Sequence, residues 1–165
     1  SYRHMTVSTS GILPGIRRFA EDFPQANLAI SLHRAEDKGR SSIMPVNRAY
    51  PLAELLQTAR EYAEKTGRRV TFEYALISGE NDRPKDVELL QQKLTGMLCH
   101  VNLIPLNEVK ETGFLGSSRR RAEEVAAQLE RAGIPATVRR ELGGEIDGAC
   151  GQLRLKEKSF ENHSE

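Results

Sequence analysis

Strand-like and helix-like stretches alternate about five times along this chain, and that alternation constrains its fold more than any other feature. Thr6-Val7-Ser8-Thr9-Ser10-Gly11 reads as a short strand running into a turn. Leu13, Ile16, Phe19, Ala20 and Phe23 then recur at helical spacing, with Pro14 near the start, where proline is tolerated. Residues 27–32 form a near-continuous apolar run, the pattern of a buried strand rather than an edge strand. Residues 33–50 are polar with short apolar touches and predict a loop with one helical turn. Pro51 opens a helix with Leu52, Leu55, Leu56, Ala59, Tyr62 and Ala63 on one face, and Gly67 stands where a C-cap belongs. Residues 69–77 are rich in β-formers. Pro84 starts a helix with Val87, Leu90 and Leu94 inward, and residues 99–106 read as a buried strand. Ser117 or Ser118 caps a helix carrying Ala122, Val125, Ala126, Leu129 and Ala132, which Gly133 ends. Residues 136–139 and 146–153 complete the pattern, and the polar stretch 156–165 is expected to be a disordered tail.

Such alternation implies right-handed crossovers and a parallel α/β sheet. A closed eight-fold barrel needs about 250 residues. This chain has 165, enough for one domain, placed at 1–155. Five units therefore make either an open doubly wound layer or part of a (β/α) barrel whose remainder lies elsewhere. The start at Ser1-Tyr2-Arg3-His4-Met5, running straight into a strand, is what a chain cut from something longer would show.

Composition excludes several classes of function. The net charge of +1 argues against a strongly basic nucleic-acid module, so any such contact must use a local patch. No apolar run approaches the roughly 20 residues of a membrane helix, and a cytoplasmic location without membrane partners is expected. Neither a Gly-x-Gly-x-x-Gly loop nor a Walker loop occurs. No Gly-x-Ser-x-Gly elbow accompanies Ser31 and His33, and the four histidines lack metal-ligand spacing with one another.

In parallel α/β proteins the chemistry gathers at the C-terminal strand ends. Here those ends read Ser8-Thr9-Ser10, Ser31-Leu32-His33, Ser78 to Asp82, Asn107-Glu108 and Gly143 to Cys150. Small polar residues suit a polar small molecule, although turn chemistry alone also places Ser, Asn and Gly there. Cys99 sits among Leu98, Val101, Leu103 and Ile104, which predicts a buried, inert thiol. Cys150 sits among glycines at a strand–loop junction, where thiolate chemistry is open to it. Arg119-Arg120-Arg121 and Arg139-Arg140 make a local basic patch, with Glu123, Glu124, Glu130 and Glu141 nearby. A solvated face is the simple reading and phosphate contact the other.

Six blocks carry a family resemblance. They are Val7-Ser8-Thr9-Ser10-Gly11, Leu28-Ala29-Ile30-Ser31-Leu32-His33, Met44-Pro45-Val46-Asn47, Arg69-Val70-Thr71-Phe72-Glu73-Tyr74, Val101-Asn102-Leu103-Ile104-Pro105-Leu106-Asn107 and Ile146-Asp147-Gly148-Ala149-Cys150-Gly151-Gln152-Leu153. In this order they resemble the C-terminal half of the radical SAM methyltransferases that modify adenine in 23S ribosomal RNA. The resemblance implies an incomplete (β/α) barrel holding S-adenosylmethionine and a 4Fe-4S cluster. It implies that one S-adenosylmethionine methylates a cysteine and a second is cleaved to a radical that activates that methyl group. The carbon then adds to carbon 2 of the adenine, and a second cysteine helps release the product. By motif, Cys150 matches the methyl-carrying cysteine, while Ser8, Ser31, Leu32, His33 and Asn107 match S-adenosylmethionine contacts. The implied partners are 23S rRNA, transfer RNA as a further candidate, and the N-terminal half of the same protein.

The sequence also departs from the family's pattern. The Cys-x-x-x-Cys-x-x-Cys motif is absent, as are the general base and second cysteine that lie upstream, and Cys99 does not match the latter. Glu108 and Gly148 stand where proline and alanine are usual. Without three cluster thiolates, reductive cleavage of S-adenosylmethionine is not expected of this chain alone. The alternatives are a non-catalytic split or remnant half-barrel that binds RNA or a partner subunit, and attack at carbon 8 within the same family.

Overall fold

The computed structural model describes residues 2–106 and 113–139. Asn107, Cys150, the strand expected at 146–153, the boundary at 155 and the tail 156–165 lie outside the described residues. Five strands alternate with helices: β1 (Thr6–Thr9), α1 (Leu13–Asp22), β2 (Asn27–Ser31), α2 (Asp37–Ile43), α3 (Leu52–Thr66), β3 (Val70–Leu76), α4 (Pro84–Leu94), β4 (Cys99–Pro105), α5 (Arg119–Arg131) and β5 (Ala136–Val138). Short 3-10 turns at Tyr2–His4 and Pro45–Arg48 complete the described elements.

All four strand pairings are parallel, and the strands lie in chain order β1-β2-β3-β4-β5. A doubly wound sheet needs a point where the strand order reverses. No reversal occurs among the described strands, so the doubly wound alternative is set aside and the architecture is a partial (β/α) barrel. With every crossover running the same way, right-handed connections leave all the helices on one face. Helix α1 packs on α3, and α4 on α5.

The two faces of the sheet differ accordingly. Val70 and Cys99 are register partners, as are Ile30, Phe72, Val101 and Ala136, and these residues, with Leu28 on β2, are buried beneath the helices. The alternate residues face the other way, because successive side chains in a strand point to opposite sides. They form two rows, Ser8–Ala29–Thr71–His100 and Ser31–Glu73–Asn102–Thr137. Apart from Ala29, every residue in these rows is half-buried or exposed. The helix side is the core, and the open side is polar.

Local sequence explains the helices. Leu52, Leu55, Leu56, Ala59, Tyr62 and Ala63 put α3 against the sheet, each large apolar side chain contributing roughly 1.5–3 kcal/mol on full burial. The buried Tyr62 hydroxyl donates to the Ala26 carbonyl at 2.9 Å, so its polar atom is satisfied inside the core. Gly67 ends α3 at φ 65°, a left-handed conformation that glycine adopts without penalty. Ser118, not Ser117, caps α5, its hydroxyl accepting from the Arg121 N–H.

The stretch 33–50 departs from expectation. In place of one helical turn it carries the seven-residue α2 and the 3-10 turn at Pro45–Arg48. Helix α2 has no apolar stripe to announce it, because the side chain it buries is Arg40. Four strands also end one residue earlier than expected: β2 stops at Ser31, β3 at Leu76, β4 at Pro105 and β5 at Val138.

Candidate functional site

The open face meets the C-terminal strand ends at a cluster built from β1, β2, β3 and the segments that follow them. Ser8 is exposed on β1, and Ser31 is half-buried at the end of β2, on the same side of the sheet. Leu32 and His33 continue from β2, and their N–H groups both reach the Glu73 carbonyl, at 2.9 and 3.3 Å. The Leu32 side chain is 1% exposed and belongs to the core, so only its main chain can meet a ligand.

His33 is the described non-glycine residue with a positive φ, 57°. Histidine is among the residue types that tolerate this region, but the conformation persists only where surroundings hold it. Here they do. The His33 carbonyl accepts from Asn81 Nδ2 at 2.8 Å, and its ring Nδ1 accepts from the Ala75 N–H at 3.0 Å. An Nδ1 that accepts cannot carry a proton, so the imidazole is the neutral tautomer protonated on Nε2. Burial, with the Arg40 charge second, pushes its pKa down to about 4.

Asn81 is 1% exposed and uses both ends of its amide. Its Oδ1 accepts from the Ile77 N–H at 2.7 Å, and its Nδ2 also reaches the Ala75 carbonyl at 2.7 Å. It thereby joins the ends of β2 and β3. Asp82 extends the join to α5: its carboxylate accepts from the Gly79 N–H and from the Ser117 hydroxyl, and its carbonyl from Arg121 Nε at 3.0 Å. Ile77 and Gly116 form an antiparallel bridge, where any side chain at Gly116 would overlap the Leu106 carbonyl.

Arg40 makes the corresponding join between β1 and β2. The residue is fully buried. Its Nη2 donates to the carbonyls of Ser10 and Ser31, at 2.7 and 3.1 Å, and its Nη1 to Asn47 Oδ1 at 2.8 Å. Asn47 Nδ2 returns to the Asp37 carboxylate at 3.0 Å, which also accepts from the Leu52 N–H at 2.8 Å. These bonds, led by the one from Leu52, hold the Asp37 carboxyl below its ordinary pKa. Burial lowers the pKa of Arg40, and Arg40 Nε has no hydrogen-bond partner among the described residues.

The structure thus brings Ser8, Ser31, Leu32 and His33 to one region, and says nothing of Asn107 or Cys150. Sequence reading missed Arg40 and Asn81 as its organisers. Asn47 lay within a quoted block, but nothing marked it as the anchor of a buried guanidinium. No signal in the sequence singles Arg40 out, since the stretch 33–50 also holds the charged residues Arg34, Glu36, Asp37, Lys38 and Arg48.

Other expectations meet the structure directly. Cys99 is buried, and burial raises its thiol pKa to about 11, so it is inert as expected. The part of the basic patch that opens α5 is paired: Arg119 with Glu123, Arg120 with Glu124, and Arg121 with Glu124 and the Asp82 carbonyl, while Arg140 and Glu141 lie outside the described residues. The solvated-face reading fits this pairing. Among the described residues, no group of His, Cys, Asp and Glu is placed to hold a metal ion, and no helix is long and apolar enough to cross a membrane.

Comparison with known proteins gives the context. No family model matches. The chain is 54% identical over 154 residues to a protein described as "Probable dual-specificity RNA methyltransferase RlmN" from Caldanaerobacter subterraneus subsp. tengcongensis, covering 93% of this chain and 45% of that protein. It is 55% identical to the protein of the same description from Symbiobacterium thermophilum, covering 93% and 42%. The chain therefore spans less than half the length of these relatives. Among solved structures it resembles a radical SAM methyltransferase from Sphaerobacter thermophilus, with TM-score 0.87, 50% identity, and coverage of 92% of this chain and 45% of the other. A domain of pyruvate-formate lyase-activating enzyme from Bacteroides vulgatus shares the fold at TM-score 0.65 and 18% identity, over 83% of this chain and 81% of that one.

Proposed function

We propose, on the premise that the chain belongs to the radical SAM RNA methyltransferases over the part of their length it spans, that it supplies the S-adenosylmethionine-facing strand ends of such an enzyme. The observation that carries this reading is the placement of Ser8 and Ser31 on the open, polar side of the sheet, with the Leu32 main chain and His33 following directly from the end of β2. Their chemistry fits the cofactor. Hydroxyls, main-chain groups and a neutral imidazole suit its ribose, adenine and zwitterionic methionine without burying a competing charge. The described residues do not fit the 4Fe-4S cluster, because their thiol, Cys99, faces the helices and stays protonated. The cluster ligands are assigned to the remainder of the protein, and this chain alone is expected to be inactive.

When bound, S-adenosylmethionine with the cluster supplies both the methyl group and the radical chemistry. The chain's own residues do the rest. Ser8, Ser31 and His33 orient the cofactor, the Leu32 main chain lines its seat, and Asn107 adds a polar contact. The Cys150 thiolate takes the methyl: a sulfur–carbon bond forms at Cys150 as the sulfonium–methyl bond breaks, and S-adenosylhomocysteine leaves. A thiolate is the nucleophile this displacement requires. That carbon would be the one destined for carbon 2 of an adenine in 23S rRNA, with transfer RNA as a second substrate, in the cytoplasm; its activation and its release from Cys150 would fall to groups outside the described residues.

The test uses the full-length protein. Cys150→Ala should abolish methyladenosine formation, read by mass spectrometry of digested RNA, while Ser31→Ala should weaken S-adenosylhomocysteine binding. Unchanged methylation by the Cys150 variant would remove that residue from the reaction. Product carrying methyl at carbon 8 would correct the position of attack.

A further inference from the structure

Arg40 presents a physical problem that the fold does not require. A guanidinium with no exposed surface is costly to bury, and such groups are normally paired with a carboxylate. Arg40 makes no ion pair among the described residues. Its donors go instead to two main-chain carbonyls and one amide oxygen, and its Nε goes unmet. The Asp37 carboxylate acts on it only from a distance, being held by Leu52 and Asn47. Apolar residues could fill the same space and hold the helix more cheaply.

What apolar residues could not do is fix the spacing of Ser10 and Ser31. One nitrogen, Nη2, bonds both carbonyls, so the ends of β1 and β2 are tied to a single atom. Gly11 keeps that atom's surroundings tight. Its φ is 110°, and an added Cβ would lie 3.2 Å from Nη2. We propose that Arg40 is a positioning residue for S-adenosylmethionine, setting the distance between the strand ends that carry Ser8 and Ser31–His33. Arginine is suited to this because its planar fork directs several donors at once, whereas lysine offers a point charge. The inference rests on the cofactor reading above and adds a residue that does not itself touch the ligand.

The test measures S-adenosylhomocysteine affinity by calorimetry on the full-length protein, without turnover. Arg40→Lys keeps the charge and loses the fork. It should weaken binding at least tenfold, with the His33 imidazole still titrating near 4 by NMR. Arg40→Met should weaken binding as much and move that titration upward. Asn47→Ala, which frees Nη1 and loosens the fork, should give a smaller loss in the same direction. A folded Arg40→Lys protein with unchanged affinity overturns the proposal. So does failure of both the Lys and Asn47 variants to fold, since Arg40 would then serve stability alone. Ser31→Ala and His33→Ala separate the two readings. If they too leave affinity unchanged, the cofactor reading itself fails; if they weaken binding while a folded Arg40→Lys does not, only the role of Arg40 fails.

Discussion

The ring of His33 accepts a hydrogen bond from the main-chain N–H of Ala75, joining the turn after β2 to the body of β3 at 3.0 Å. The bond needs an unprotonated Nδ1. Acid therefore breaks it, and this ring makes the strand ends pH-sensitive.

The sign follows from the shift. His33 titrates near 4 when folded and near 6.5 when unfolded, so the unfolded chain binds the extra proton first. The stabilisation is complete above about pH 6.5 and is lost as pH falls from there through 4. Urea midpoints of the full-length protein should drop across that window, and His33→Asn, which tolerates the positive φ, should flatten the drop. An equal acid slope in the variant would place the sensitivity elsewhere.

Asn81→Leu should be among the most damaging substitutions of similar volume. It strands the Ile77 N–H and removes donors from the His33 and Ala75 carbonyls. Each buried polar group left unmet costs roughly 1–3 kcal/mol. Denaturant titration should show a loss at the upper end of that range or beyond, whereas a change below about 0.5 kcal/mol would mean that water replaces the amide.

The arginines opening α5 should contribute little. Arg119 and Arg120 pair across exposed helical turns with Glu123 and Glu124, and solvent screens such pairs so that they add little to stability. Charge reversal of both should leave the salt dependence of RNA binding unchanged. A shallower slope on log salt would show that they meet phosphates.

Cys99 should resist modification. With its thiol near pKa 11 and its side chain under the helices, a disulfide exchange reagent at pH 8 should react with it only after unfolding. Rapid labelling of Cys99 in the folded protein, measured against Cys99→Ala, would contradict the burial.

The parts legible in the sequence are those that use apolar periodicity. Leu52 to Ala63 announced α3, and Val87, Leu90 and Leu94 announced α4, because burial of a helix face writes a stripe. Helix α2 escaped because Arg40 occupies the place of a leucine, and hydrogen bonds rather than area hold it. The site residues were legible by family resemblance and by position at strand ends. Their organisation was not, since Asn81 and Arg40 act on carbonyls that no side-chain pattern encodes. The two serines before α5 show the same limit: either could cap the helix, and only the contact between Ser117 and Asp82 decides which does.

Each strand of this sheet leads two lives. The side turned to the helices holds the molecule together, and the side turned away contributes little to that cohesion. Substitutions on the two sides are therefore judged by different tests. A lineage can rewrite Thr71, Glu73, His100 or Asn102 on the open face while Phe72 and Val101 keep the scaffold standing. Such a division leaves room for new reactivities to arise by drift on one surface, without passing through an unfolded ancestor.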